Sequence, residues 1–526
     1  MASNFALHLC RFSFTSFRQL QAFEWYTEGG GKHWTKLQNL APELGLAGFT
    51  AFWIPPPTKA ANPASVGYDT YDLWDLGEFD QKGSKATKYG TKEELQCMVK
   101  AAQSNGIVVY VDAVLNHKFG ADSSEVFAAT EVDYNDRNKD ISDQHDIEVQ
   151  PFISIPLVTP IDHNDRVGQG SRFQAVMERQ QYSQMKWCFN HFTGVDFDNK
   201  TEKTQIFRIQ GNGKSWATGV DKENKNYDYL MGADIDHKHP EVEKDILDWG
   251  SWIIKEIGCS GFRFDAIKHI DEEFIGKFVR HVRASSGRPE LFAVGEYWKD
   301  SLDDLDTYLS QFGSQFSVFD SPLHYNFKRA GDAGESFDLR QIFDGTVVQK
   351  RPIDAVTLVD NHDTQVGQAL ESCVPSWFKP IAYALILLRP DGYPCVFWGD
   401  LYGCEGPEGN PQPAVNQLAD LVRARKLFAY GELQDYWDHC SCLGWVRVGD
   451  QWHDGCAVVI SNGDEGTKRM NVGKEHKGEI WTDCLGWSKG GVKIDNEGWG
   501  DFKCPGGSVS IWTRSDARGR EEFHKD

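Results

Sequence analysis

Short runs of β-branched and aromatic residues alternate with helical patterns between residues 19 and 428. In "EVEKDILDWGSWIIKEIG" the apolar positions recur at steps of three and four, as on one face of a helix. Repeated strand, helix and strand predict an α/β fold with parallel strands and crossover helices. Because eight strands are predicted, a closed (β/α)8 (TIM) barrel is favoured over an open sheet. The predicted strands are residues 18–26, 49–55, 107–114, 261–267, 291–298, 315–321, 355–361 and 393–399.

Two segments depart from this alternation. Residues 118–239 are too long for a loop between the third and fourth strands and are rich in Asp, Asn, Gln and Lys, so they predict an inserted domain. Residues 429–515 contain short strands separated by Gly-Asp, Asn-Gly and Gly-Gly turns, which predicts an antiparallel β-sandwich domain. We therefore expect residues 1–117 and 240–428 to form the barrel and residues 516–526 to be a frayed tail.

Charge and cysteine content limit the partners. The formal net charge is −22, and such an acidic chain repels phosphate backbones and anionic membranes, so we expect neither nucleic acid nor membrane as a partner. The 12 cysteines form no CxxC pair, which argues against zinc and favours a reducing compartment. The first residues lack the basic start and apolar stretch of a secretory signal, so we expect a cytoplasmic protein. A monomer is the default expectation, because the sequence does not indicate an oligomeric state. An organellar transit peptide stays open because no acidic residue precedes Glu24.

Polar residues collect at the C-terminal ends of four predicted strands, the rim where such barrels place their active sites. The segments are "DAVLNH", "GFRFDAIKH", "GEYW" and "VDNHDT". In the second of these, Arg263 and Asp265 lie two positions apart in an apolar strand. They are either an ion pair that only stabilises the fold or a reactive carboxylate held ionised by its neighbour. Carboxylates and histidines at four strand ends favour the second interpretation.

These four segments, in this order, resemble the signature regions of the α-amylase family of glycoside hydrolases. Further segments such as "QAFEWY" and "YDYLMGADIDHKHP" resemble bacterial liquefying-type α-amylases, and the resemblance extends over about residues 20–513. The lack of a signal suggests their intracellular fungal relatives. The resemblance implies a retaining endo-hydrolase of α-1,4-glucosidic bonds in starch, glycogen or malto-oligosaccharides.

The resemblance also implies roles for individual residues. Asp265 matches the nucleophile, Glu296 the acid/base, and Asp363 the third carboxylate, which stabilises an oxocarbenium-like transition state. Retaining cleavage needs the nucleophile and the acid about 5–5.5 Å apart. For Tyr68, Lys268 and Trp298 the alternative to substrate contact is ordinary packing or a surface position. The residues implied to contact substrate are Tyr68, Asp112, His117, Arg263, Lys268, His269, Trp298 and His362.

A single Ca2+ between barrel and insert is implied in the same way. Its implied ligands are Asn116, Asp228, Asp234 and the backbone carbonyl of His269, all oxygen donors of the kind calcium prefers. Bacterial relatives have aspartates where this chain has Thr193, Ala217 and Lys238, so we expect too little negative charge for a second cation. Asp236 is expected to stand nearly alone there.

Two other functions stay open. A retaining intermediate can be intercepted by a sugar instead of water, which would make the chain mainly a transglycosylating 4-α-glucanotransferase. A non-catalytic α-glucan-binding protein is the other alternative, although all three acidic residues of the motifs are present.

Overall fold

The computed structural model describes residues 17–149, 181–407 and 410–523. Eight parallel strands close into a barrel, and each overlaps one predicted strand, so the predicted fold is confirmed. Each barrel strand pairs with the next one along the chain, and the eighth pairs with the first. All eight strands end before the predicted ones because the chain leaves the sheet where the polar rim begins. They are Gln19–Gln21, Ala51–Ile54, Val108–Ala113, Gly261–Phe264, Phe292–Gly295, Ser317–Phe319, Ala355–Leu358 and Tyr393–Phe397.

The crossover helices surround the barrel. Pro240–Ile257 has proline at its first position and ends at the left-handed Gly258, and its predicted apolar face is buried. Within the described residues, no helix is both long enough and apolar enough to cross a membrane. The other α-helices described are His33–Ala47, Lys92–Ser104, Glu272–Ser286, Leu302–Ser310, Ser321–Ala333, Val347–Lys350, Lys379–Leu388, Trp398–Tyr402 and Leu418–Phe428.

Barrel strands alternate between two apolar layers. Ala51 and Trp53 belong to a cluster that also contains Val294 and Val356 from other strands, and this cluster fills the barrel interior. Phe52, between the first two, belongs to the larger core beneath the helices. The interior is therefore packed, and polar groups concentrate at the rim.

The inserted region contains a six-stranded antiparallel sheet. Its first strand, His117–Lys118, crosses the predicted boundary between barrel and insert and pairs with Ala233–Ile235. This pairing places the end of the third barrel strand beside the end of the insert. Residues 150–180 of the predicted insert lie outside the described residues. The remaining strands of this sheet are Glu125–Glu131, His145–Val149, Phe192–Asp198 and Lys203–Ile209, and a separate hairpin joins Lys59–Ala60 to Thr70–Asp72.

The C-terminal region is an antiparallel β domain, as predicted. A six-stranded sheet and a two-stranded sheet pack together around apolar residues such as Val459, Met470 and Trp481. The strands are Leu433–Tyr436, Cys442–Arg447, Cys456–Ser461, Gly466–Asn471, Ile480–Asp483, Gly491–Lys493, Trp499–Cys504 and Ser508–Arg514.

The expectation of a frayed tail from residue 516 is wrong for its described part. Ala517 and Phe523 are buried, and the Phe523 ring stacks on Phe428 of the last barrel helix at 5.9 Å. Apolar contact with the barrel orders this segment, although its polar composition resembles a tail. Residues 524–526 lie outside the described part of the chain.

Candidate active site

One buried arginine joins the carboxylates of three strand ends. Arg263 Nη1 donates to Asp112 Oδ1 at 2.7 Å and to Asp265 Oδ1 at 2.6 Å. Its Nη2 donates to Glu296 Oε2 at 2.8 Å. The third, fourth and fifth barrel strands are neighbours, so their ends bring these side chains together. Because Asp265 and Glu296 bind the same guanidinium, the two carboxyl groups face one small space.

The turn after Asp265 is strained. Ala266 has φ +49° and ψ +40°, a left-handed conformation that costs a non-glycine residue roughly 1–2 kcal/mol. In this conformation its N–H donates to Glu296 Oε2 at 3.1 Å. Glu296 thus receives hydrogen bonds from Arg263 and from the residue after Asp265, so the strained turn links the two carboxylates.

Burial changes the protonation of the site. It raises the pKa of Glu296 to about 7, opposed by Arg263 and reinforced by the negative charge of Asp265. Burial likewise raises the pKa of Asp112 to about 6. It also raises the pKa of Asp363 well above its usual value, with Glu296 adding to the effect. One guanidinium cannot compensate four buried carboxylates, so the site retains an acidic proton near neutral pH.

His362 is a neutral ring with a defined tautomer. Burial and the nearby charge of Arg263 lower its pKa well below the usual value. Gln21 Nε2 donates to its Nδ1 at 2.9 Å, which leaves the proton on Nε2, 3.1 Å from Asp363 Oδ2. The sequence analysis missed Gln21. Its position in the first strand, directly before the rim, is the signal that could have identified it.

Two aromatic rings lie parallel to this histidine ring. The Tyr68 and Trp25 rings lie 5.0 and 6.1 Å from the His362 ring, each tilted by 5°. The Tyr68 hydroxyl donates to Asp112 Oδ2 at 2.9 Å. Sequence analysis placed Trp25 inside a strand of residues 18–26, but that strand ends at Gln21, so Trp25 lies at the rim. Flat apolar faces of this kind suit a sugar ring.

His117 supports the neighbouring loop. Its Nε2 donates to the Tyr68 carbonyl at 2.8 Å, and its Nδ1 accepts from Asn116 Nδ2 at 3.3 Å. Both ring nitrogens are therefore engaged within the protein. Its expected contact with sugar stays a prediction.

Lys268, His269 and Trp298 line another side of the rim. Lys268 Nζ lies 3.5 Å from Glu223 Oε2 of the insert. His269 is buried, and its Nδ1 donates to the Tyr227 carbonyl at 2.7 Å. Trp298 Nε1 donates to the Tyr325 hydroxyl at 3.1 Å. Lys268 and His269 thus contact the insert, whereas Trp298 contacts the barrel helix Ser321–Ala333.

The residues expected to bind calcium also converge. Asn116 donates from Nδ2 to His117, which leaves its buried Oδ1 without a hydrogen-bond partner among the described residues. Asp228 and Asp234 are buried beside each other. Burial raises the pKa of Asp228 to about 7. Burial and the charge of Asp228 raise the pKa of Asp234 well above its usual value. An orphaned amide oxygen and two uncompensated carboxylates fit a hard cation.

Asp236, the carboxylate expected to remain nearly alone on this side, has a lysine as its partner. Lys214 Nζ donates to Asp236 Oδ2 at 2.7 Å. Thr193 donates its hydroxyl to Asp234, and Ala217 donates its N–H to Asp228 Oδ2 at 2.7 Å. The Lys214 ammonium therefore compensates the charge of Asp236, whereas Asp228 and Asp234 receive hydrogen bonds from neutral donors only. The lysine was missed because it belongs to a separate loop.

A second cluster of potential ligands contains His191, His239 and Glu241. His191 Nδ1 accepts the N–H of Cys188 at 3.0 Å. The proton of neutral His191 is therefore on Nε2, the atom 3.5 Å from Glu241, and this nitrogen has no lone pair for a metal.

Comparison with known proteins extends over nearly the whole chain. The protein-family model for the α-amylase catalytic domain matches residues 38–426. The family model for the α-amylase C-terminal domain matches residues 456–513. An α-amylase of Bacillus licheniformis is 46% identical, and the match covers 94% of this chain and 93% of the relative's length. A cytoplasmic α-amylase of Escherichia coli (strain K12) is 41% identical over 94% of this chain and 98% of its own. A crystal structure of an Anoxybacillus α-amylase, only 15% identical, covers 96% of this chain and 98% of that one with a TM-score of 0.61, which shows the same fold.

Proposed function

Since the chain belongs to the α-amylase family of glycoside hydrolases, we propose that it is a retaining endo-hydrolase of α-1,4-glucosidic bonds in starch, glycogen or malto-oligosaccharides. The observation that carries the proposal is the binding of Asp112, Asp265 and Glu296 to one buried guanidinium. A nucleophile and an acid held together in this way suit double-displacement chemistry.

Asp265 attacks the anomeric carbon and forms a covalent glycosyl intermediate as the glycosidic bond breaks. Glu296 gives its proton to the leaving oxygen in the same step, and its raised pKa keeps that proton available. Water then enters, Glu296 accepts a proton from it, and the sugar leaves Asp265. Arg263 Nη1, 2.6 Å from Asp265 Oδ1, suits an anionic nucleophile.

Asp363 and His362 bind the hydroxyl groups of the sugar attacked by Asp265. The Nε2 proton of His362 is available as a donor because Gln21 occupies Nδ1. Tyr68 and Trp25 offer their ring faces to the same sugar. Asp112 binds both Tyr68 and Arg263, so it orients one ring and one charge.

Calcium is proposed as a structural ion. Asn116 Oδ1, Asp228, Asp234 and the His269 carbonyl would hold it between the barrel and the insert. When bound, it supplies positive charge to two buried carboxylates, and its role is to fix the insert beside the site. The Lys214 ammonium beside Asp236 supports a single ion.

A cytoplasmic location is also proposed. The cysteines of the described residues are free thiols, which suits a reducing compartment. The E. coli relative at 41% identity is named as cytoplasmic. The partner expected for this acidic chain is a neutral α-glucan.

Product analysis tests the proposal. The protein is incubated with maltopentaose and Ca2+, and new reducing ends are followed by proton NMR to record their anomeric form. We expect α-anomers first, from internal cleavage, and no products from the Glu296→Gln variant. β-Anomers would contradict retention, oligomers longer than the substrate would favour glycosyl transfer, and no cleavage at any Ca2+ concentration would refute hydrolysis.

A further inference from the structure

A buried carboxylate of the inserted region holds the segment that follows Glu296. Asp221 Oδ2 accepts from the Tyr297 hydroxyl at 2.5 Å and from Lys299 Nζ at 2.9 Å. The Asp221 N–H donates to the Lys268 carbonyl at 2.9 Å. One residue of the insert thus contacts the loops after both the fourth and the fifth barrel strands.

These contacts are charge-assisted, and the carboxylate that accepts them is buried. The Asp221 side chain is only 2% exposed. Burial alone would raise its pKa, yet the hydrogen bonds from Tyr297 and Lys299 lower it below the usual value. Hydrogen bonds to an ionised acceptor are shorter and stronger than those between neutral groups.

The segment is held on its other side as well. Ser321, at the start of the helix after the sixth strand, donates its hydroxyl to the Lys299 carbonyl at 2.8 Å. Trp298, between the two residues that Asp221 holds, donates to Tyr325 at 3.1 Å. Residues 297–299 are therefore fixed between the insert and the barrel, directly after Glu296.

We propose that Asp221 is a positioning residue for the acid step, which places Glu296 and Trp298 against the leaving group by holding Tyr297 and Lys299. The inference rests on the proposed function. Asp221 touches no reacting atom itself. The effect of Asp221 is therefore confined to reactions whose leaving group must be protonated and must bind on this side of the rim.

Two substrates distinguish an effect on the position of Glu296 from a general loss of stability. Maltopentaose needs a protonated leaving oxygen, whereas α-maltosyl fluoride releases fluoride without that proton and places no sugar on the leaving-group side. For Asp221→Asn we expect kcat/KM on maltopentaose to fall about tenfold or more, since misplacement of a reacting group is costly. On the fluoride we expect a change within about twofold, because the nucleophile is unaffected.

Three further variants complete the test. Tyr297→Phe removes one donor with little risk to folding and is expected to show the same selective loss. Lys299→Met is expected to act in the same direction. Asp483→Asn is the matched control, a buried carboxylate of the C-terminal domain that accepts the N–H groups of Leu485 and Ile511 at 3.1 and 2.9 Å. It is expected to leave the ratio of the two kcat/KM values unchanged.

Equal losses on both substrates in Asp221→Asn and Tyr297→Phe would overturn the inference, as would no loss on maltopentaose. In either case an active wild-type enzyme would leave the proposed function standing. A wild-type protein inactive on both substrates would instead refute the proposed function and this inference with it.

Discussion

Arg263 Nη2 and Glu296 Oε2 lie 2.8 Å apart, although the two residues are 33 positions apart in the chain. The pKa of Glu296 is nevertheless raised, because the effect of burial outweighs the attraction of Arg263. The site thus contains both a fixed cation and a carboxyl group able to hold a proton near neutral pH. Four predictions follow from this arrangement and its surroundings.

Activity on unactivated substrates is expected to fall as the pH rises through about 7. The pKa of Glu296 is raised to about 7, so the protonated acid is present below this pH and lost above it. The measurement is the pH dependence of kcat/KM for maltopentaose. The charged groups that face Glu296 are Arg263, Asp112, Asp265 and Asp363. The same alkaline limb with α-maltosyl fluoride would contradict the assignment, because that substrate needs no proton.

Arg263→Met is expected to abolish activity and lower the free energy of unfolding by about 3–5 kcal/mol at pH 8, since it leaves buried carboxylates without their cation. Denaturant titration measures the loss. Arg469→Met is the matched control. That arginine is half exposed and binds Asp495 and Asp501 at the surface of the C-terminal domain, so its removal is expected to cost at most about 0.5 kcal/mol. Equal effects of the two substitutions would contradict the prediction.

Gln21 variants test the tautomer of His362. Gln21→Leu removes the donor to Nδ1, and we expect kcat/KM on maltopentaose to fall about tenfold, the equivalent of one hydrogen bond of about 1.4 kcal/mol. Gln21→Glu is expected to be worse, because a carboxylate can only accept and would hold the proton on Nδ1, away from the sugar. A lower kcat/KM for Gln21→Leu than for Gln21→Glu would contradict the assignment of the proton to Nε2 of His362.

Calcium is expected to raise the melting temperature. An ion present at 100 times its dissociation constant adds about 2.7 kcal/mol to stability, and chelation should remove it. Asp234→Asn should lose most of this response, measured by scanning calorimetry with and without a chelator. Asp320→Asn is the control, a buried carboxylate that accepts the N–H groups of Val347 and Val348 at 3.0 and 2.7 Å. An unchanged calcium response in Asp234→Asn would refute the ligand set.

The alternation of strands and helices determined the barrel, because hydrophobic periodicity is local and each predicted strand overlaps an observed one. The motifs placed the acidic residues at strand ends for the same reason. The short strands and turns near the C-terminus likewise predicted the antiparallel β domain. These features depend on residues close together in the chain.

Partners distant in the sequence were decided only by the tertiary structure. Arg263 meets Asp112 across 151 positions, and Gln21 meets His362 across 341. The pairs of Lys214 with Asp236 and of Asp221 with Lys299 arise because folding brings loops of the insert together and against the rim. Burial then sets which carboxyl group keeps its proton. A chain without its fold exposes every one of these groups to water, where no such difference between them exists.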